Sequence, residues 1–167
     1  MIYTLGYGRW PTKIRLERLI QTLLETEITT LVDIRHSPCP SQVNPLARYG
    51  PRDWHLLDGG IGLNGHLRQV GIDYQWIVEL GNPQKNDREM RILRAHLAVP
   101  VEPWPVNRGL ELLQHLVRKK GQRCCLLCAC KDYDRCHRKL IAEAVSQRFF
   151  DGMLEVRELP SSASQRP

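Results

Sequence analysis

The stretch Arg123 to Lys139, reading RCCLLCACKDYDRCHRK, limits the fold of this chain more than any other. From Cys124 to Ala129 it has the apolar character of a strand buried on both faces. Such a strand belongs in a parallel sheet with helices on either side. The run then breaks into Lys131, Asp132, Tyr133 and Asp134, and resumes as Cys136-His137-Arg138 at the head of a helical pattern. A strand, a short polar loop and a helix start in succession make a ready anion site. Five of the six cysteines, Cys124, Cys125, Cys128, Cys130 and Cys136, fall inside this stretch.

The remaining elements fit around it. Ile2 to Leu5 reads as a first strand, ending in Gly6-Tyr7-Gly8-Arg9. Thr12 is expected to cap a helix whose apolar positions Ile14, Leu16, Leu19, Ile20, Leu23 and Leu24 keep helical spacing. Thr29 to Ile34 is a second strand, closed by Arg35-His36-Ser37-Pro38, so residues 2–34 read as a strand–helix–strand unit of the length a right-handed parallel crossover requires. The segment 38–65, with Pro38, Pro40, Pro45, Pro51 and the run Gly59-Gly60-Ile61-Gly62, is irregular, and a loop of that length is expected to be functional or mobile.

Further on, Leu63 to Val70 predicts a short helix, Ile72 to Val78 a third strand and Asp87 to Leu97 a helix broken by Pro100 to Pro105. Asn107 is expected to cap a helix running to Lys120, with Leu110, Leu113, Leu116 and Val117 facing inward and Gly121 ending it. Beyond the key strand, Asp134 is the expected N-cap, which places Cys136 and His137 at the second and third helical positions. Leu140, Ile141, Ala144 and Val145 form the core stripe, so Cys136 and His137 point inward and Arg138 lies off it. Met153 to Leu159 is the last strand. The predicted fold is a three-layer, Rossmann-like α/β domain over residues 1–160, with a mainly parallel sheet of about five strands flanked by helices and a disordered polar tail at 161–167.

Composition narrows the function classes. No apolar stretch approaches the roughly 20 residues of a membrane span, so no membrane partner is expected. The start Met1-Ile2-Tyr3 runs straight into a strand, with no leader pattern, and the expected location is the cytoplasm, where thiols stay reduced. The net charge of +6 is a mild pull toward phosphate, nucleotide or nucleic acid, part of it in Arg118, Lys119, Lys120 and Arg123.

In a parallel sheet the carboxyl ends of the strands share one edge, where ligands bind. Tyr7 and Arg9, Asp33 and Arg35, and Lys131 follow three predicted strand ends, with Cys136-His137-Arg138 beside them. The candidate catalytic residues are Cys136, His137 and Asp33. A thiol at a helix start near Arg138 is favoured as thiolate, and a neighbouring histidine can serve as its base. Arg35, Lys131, Arg138, Tyr7 and Arg9 are the candidate anion-binding residues. Each has a plainer reading: Arg35 or Arg138 can pair with Asp33 or Asp134, and Cys124, Cys125 and Cys128 suit a core strand.

The rival reading is a zinc site made by Cys128, Cys130, Cys136 and His137. A Cys-x-Cys pair on a strand and adjacent side chains on a helix are expected to diverge, so no cofactor is predicted. No serine-hydrolase motif is present, and Gly6-Tyr7-Gly8 lacks the third glycine of a dinucleotide loop.

The pattern resembles the family called Domain of Unknown Function 488. The residues that carry it are Thr4-Leu5-Gly6-Tyr7-Gly8, Leu31-Val32-Asp33-Ile34-Arg35 with Ser37-Pro38, Gly71-Ile72-Asp73-Tyr74, Glu79-Leu80-Gly81-Asn82-Pro83, and Leu127-Cys128-Ala129 to Cys136-His137-Arg138. Two departures stand out: Cys130 where the family often has an acidic residue, and a stretch around Asp53 to Gly65 that looks like an insertion. The resemblance implies an α/β fold and a cytosolic protein of bacterial type, and no assigned activity. On the residues themselves two function classes stay open: an enzyme acting on a small anionic, phosphate-bearing or nucleotide-like ligand, or a non-catalytic nucleic-acid-binding module.

Overall fold

The computed structural model describes residues 1–36, 56, 59, 61–82, 87–101 and 103–160. Most of the irregular 38–65 segment, Ser37-Pro38 and the 161–167 tail lie outside the described residues. The described residues form five strands: β1 (Ile2–Gly6), β2 (Thr30–Asp33), β3 (Asp73–Trp76), β4 (Cys124–Cys128) and β5 (Val156–Leu159). They form one sheet in the order β3-β2-β4-β1-β5, and every pairing is parallel. The expected three-layer α/β architecture is what the chain adopts, with a sheet that is wholly parallel.

Alternation along the central strands builds the two faces. Tyr3, Leu5, Leu31, Cys125 and Leu127 face a core with α1 (Arg15–Glu25) and α2 (Gly62–Gln69), through Leu19, Leu23, Leu63 and Leu67. Ile2, Val32, Cys124 and Leu126 face the other core, which takes Leu93 of α3 (Arg91–Ala98), Leu110 and Leu113 of α4 (Pro105–Arg118), and Ile141 and Val145 of α5 (His137–Phe149). All five residues of β4 are buried, as its unbroken apolar run predicts. Cys124 and Cys125 are core residues, and burial pushes the Cys124 thiol up to about 11.

Strand order fixes where the chain can bind something. The connection after β2 runs outward to β3, whereas that after β4 runs the opposite way, past β1 to β5. Neighbouring strands with diverging exits open a crevice at their carboxyl ends. Here that crevice lies between Asp33 at the end of β2 and Cys128 at the end of β4.

Several local expectations are corrected. The first helix is preceded by a 3-10 turn, Thr12–Ile14, and α1 starts at Arg15 without a side-chain cap. Helix α4 starts at Pro105, whose missing N–H costs nothing at a first turn. Asn107 is therefore inside the helix, buried, donating to the Val99 carbonyl at 3.1 Å and accepting from Arg148 at 2.6 Å. Helix α5 is capped by Cys136, not Asp134; Asp134 instead donates its N–H to Asp132 Oδ1 at 3.0 Å, closing a turn one step earlier. Arg138 does not lie off the core stripe: it is 0% exposed.

Candidate functional site

Cys128 is the last residue of β4 and pairs with Gly6 at the end of β1. Beyond it the chain turns tightly over β1, because Gly6 and Gly8 have no side chains. A Cβ on Gly6 would lie 2.0 Å from the Cys130 carbonyl oxygen, and one on Gly8 would lie 2.2 Å from that of Ala129. This close approach brings Cys130 back over the strand end. The loop closes when Cys136 N–H donates to the Tyr133 carbonyl at 3.1 Å, and α5 begins one residue later. Cys136 is extended at φ −114°, ψ 144°, and its sulfur caps no backbone N–H. The side chain is left free for the cluster.

The three sulfurs converge. Cys128 Sγ and Cys130 Sγ are 3.6 Å apart, and the Sγ atoms of Cys128, Cys130 and Cys136 all lie within 4.8 Å of one another. His137 completes the group. Its Nδ1 is 3.9 Å from Cys128 Sγ and 4.0 Å from Cys136 Sγ, while its Nε2 is 2.9 Å from the Ile34 carbonyl. A carbonyl only accepts, so Nε2 carries the proton and a neutral ring turns the Nδ1 lone pair toward the sulfurs. The divergence expected of these four side chains is thus corrected, because the loop over Gly6 and the extended Cys136 redirect them.

Electrostatics follow from the crowding. Hydrogen bonds from Cys128 and Cys130 hold the Cys136 thiol well below its ordinary range, outweighing burial. The same shared bonds push Cys130 up. Burial pulls His137 down, but the Cys136 sulfur beside it leaves the imidazole raised. The group therefore favours one thiolate flanked by two thiols. Cys130 is exposed, and Cys128 and Cys136 are buried.

Arg138 lies directly beneath. Its Nε donates to Cys136 Sγ at 3.3 Å and its Nη2 to the Cys130 carbonyl at 3.3 Å, and the guanidinium lies 5.6 Å from the Tyr133 ring centroid. Its Nη1 has no hydrogen-bond partner among the described residues.

Asp33, Arg35 and Tyr7 belong to a separate buried network on the α1–α2 face. Arg35 donates to both Asp33 oxygens, at 2.8 Å and 2.5 Å, and to the Tyr7 hydroxyl at 3.0 Å. Tyr74 donates to Asp33 Oδ2 at 2.7 Å. Burial and the Asp33 carboxylate push the Tyr74 phenol far up. Arg9 pairs with Glu158 of β5, and Lys131 is exposed on the loop. The carboxyl edge therefore gathers the singled-out residues but splits them: cysteines and His137 on one face, Asp33 and Arg35 on the other. Sequence reasoning missed Tyr133, whose ring covers Arg138, and the Ile34 carbonyl, which has no side-chain signal at all.

An all-parallel α/β domain with a thiol–imidazole cluster at its switch-point crevice is the class defined by fold and site. The family described as "Domain of unknown function DUF488" matches residues 62–145, which include β3, β4 and all four cluster residues, and the chain belongs to it. No curated protein and no solved structure matches the chain. Among the described residues no helix is long and apolar enough to cross a membrane.

Proposed function

We propose that Cys128, Cys130, Cys136 and His137 hold a divalent metal ion of the zinc type, and that the protein works as a metal-stabilised α/β module at this crevice. The observation that carries the reading is the His137 ring: Nε2 is tied to the Ile34 carbonyl, and Nδ1 is presented to two sulfurs at 3.9 and 4.0 Å. Metal-binding histidines are oriented in this way by a bond on the far nitrogen. Thiolates around tetrahedral zinc, with Zn–S of about 2.3 Å, stand about 3.8 Å apart. The 3.6 Å between Cys128 and Cys130 is close to that spacing. Four protein ligands fill the coordination sphere, which suits a structural ion better than a hydrolytic one. A reducing cytoplasm would keep the thiols available.

Protein purified without chelator should contain about one equivalent of zinc, and cobalt substitution should give thiolate charge-transfer absorption. At a free metal concentration a hundred times Kd the fold gains about 2.7 kcal/mol, worth about 5–10 °C in Tm for a chain of this size. His137→Ala and Cys136→Ser should each abolish the shift. No bound metal and no shift with zinc would overturn the reading.

A second reading, an enzyme taking a small phosphate-bearing or nucleotide-like anion at the α5 start, draws support from the unpartnered Nη1 of Arg138. Phosphate and a mononucleotide panel should then raise the Tm of the metal-loaded protein, and no shift would sink it. The nucleic-acid reading rests on charge alone. Arg118 and Arg123 are engaged by the Phe149 carbonyl and the Tyr3 hydroxyl, and a shallow salt dependence of any binding would remove it.

A further inference from the structure

We infer that Arg138 is a positioning residue that fixes the net charge of the cluster, so that the site takes a divalent ion on three thiolates and one neutral imidazole. This rests on the metal reading above. The starting observation is a guanidinium that is 0% exposed, yet has no ion-pair partner among the described residues. Acidic residues on the neighbouring elements pair with other cations: Glu158 holds Arg9, Asp33 holds Arg35 and Asp134 holds Lys139. A buried cation without a counter-charge is strongly disfavoured, and what Arg138 meets is sulfur, with Nε on Cys136 Sγ at 3.3 Å.

The charge must therefore come from the cluster. Three thiolates and a neutral imidazole around a divalent cation leave one net negative charge, which a single guanidinium cancels. A monovalent ion on the same ligands would leave two, and a second neutral ligand in place of a cysteine would leave none. Hydrogen bonding alone does not account for Arg138, since Nη1 has no partner among the described residues. Geometry adds a second role. Nη2 donates to the Cys130 carbonyl at 3.3 Å, so the side chain that offsets the charge also holds the loop carrying Cys130 against the Cys136 sulfur. Gly6 leaves room for this, because a Cβ there would lie 2.6 Å from Nη2.

The test is a charge cycle read by zinc competition with a chromophoric chelator and by the cobalt spectrum. Arg138→Met should weaken zinc binding by about 10–100-fold, the range found for outer-shell partners of metal ligands. It should also move the thiolate-to-cobalt band to lower energy, since Cys136 loses its donor. Arg138→Lys keeps the charge and should recover most of the affinity. Cys130→His, at an exposed position, makes the loaded site neutral. In that background Arg138→Met should cost less than threefold or improve binding. Equal losses from Arg138→Met in both backgrounds would overturn the charge assignment, as would an unshifted band in wild-type ligands. If Arg138→Met does not fold, Arg138→Lys against Arg138→Gln carries the same comparison, and equal affinities for those two would refute the proposal. Failure of the wild type to bind zinc or cobalt defeats the underlying metal reading instead, and this proposal with it.

Discussion

Asp33→Asn is the substitution that best separates a catalytic carboxylate from a structural one. Asp33 is 0% exposed and accepts four hydrogen bonds: Arg35 N–H at 3.0 Å, Arg35 Nε at 2.8 Å, Arg35 Nη2 at 2.5 Å and Tyr74 Oη at 2.7 Å. Every contact is to a donor, so an amide must turn its NH2 group toward one of them. Arg35, 5% exposed, loses the carboxylate that offsets its charge. Breaking a buried pair from one side costs about 3–5 kcal/mol. At about 2–4 °C per kcal/mol, the Tm should fall by about 6–20 °C. Urea unfolding followed by circular dichroism gives the free energy directly. Replacing both partners, as in Asp33→Leu with Arg35→Met, should recover most of the loss, because neither charge is then stranded. Zinc binding per folded molecule should not change in either variant, since the network lies across the sheet from the sulfurs. A loss below about 1 kcal/mol, or a double variant no better than the single one, would refute the structural reading of Asp33.

Two further outcomes are expected. Gly6→Ala forces a Cβ to within 2.0 Å of the Cys130 carbonyl and should cost at least about 2 kcal/mol, through the displaced Arg138 bond, and lower zinc occupancy with it; full occupancy with an unchanged Tm would count against the loop geometry. Tyr74, whose folded pKa is raised above 10.0 by burial and then by Asp33, ionises more readily in the unfolded chain, so its stability contribution is intact below pH 10 and declines above it. Alkaline melting curves of Tyr74→Phe should be flatter than those of the parent above that pH, and parallel curves would show that another group governs the decline.

What could be read from the sequence was set by period. The unbroken run of β4 and the short runs at Ile2 to Leu5 and Thr29 to Ile34 gave strands of a sheet buried on both faces, because such burial shows as a run with little polar interruption. Strand order was not legible, since no local pattern says that β4 inserts between β1 and β2. Arg138 was misplaced because its charge argued for solvent, although it sits one turn before the buried Ile141 and Ala142. The convergence of the sulfurs depended on Gly6, 122 positions before Cys128 in the numbering, and on one extended residue, Cys136. Pairing of that kind leaves no trace in a window of a few residues. Pro105 did carry a readable signal for the start of α4, which the more familiar capping residue Asn107 obscured.

The central position of β4 has a consequence for how the chain assembles. β1 and β2 are separated by the width of a missing strand until residues 124–128 enter between them, pairing Tyr3 with Cys125 on one side and Thr30 with Cys124 on the other. The first 120 or so residues cannot close a sheet by themselves, so these long-range contacts form late, and loop closure over such a span slows folding. The strand that joins β1 to β2 delivers Cys128 in the same movement and Cys130 two residues behind it. Under the metal reading, an ion captured by these residues would therefore act as a latch on the final insertion step. It would slow unfolding more than it speeds folding, because the site exists only once β4 is in place.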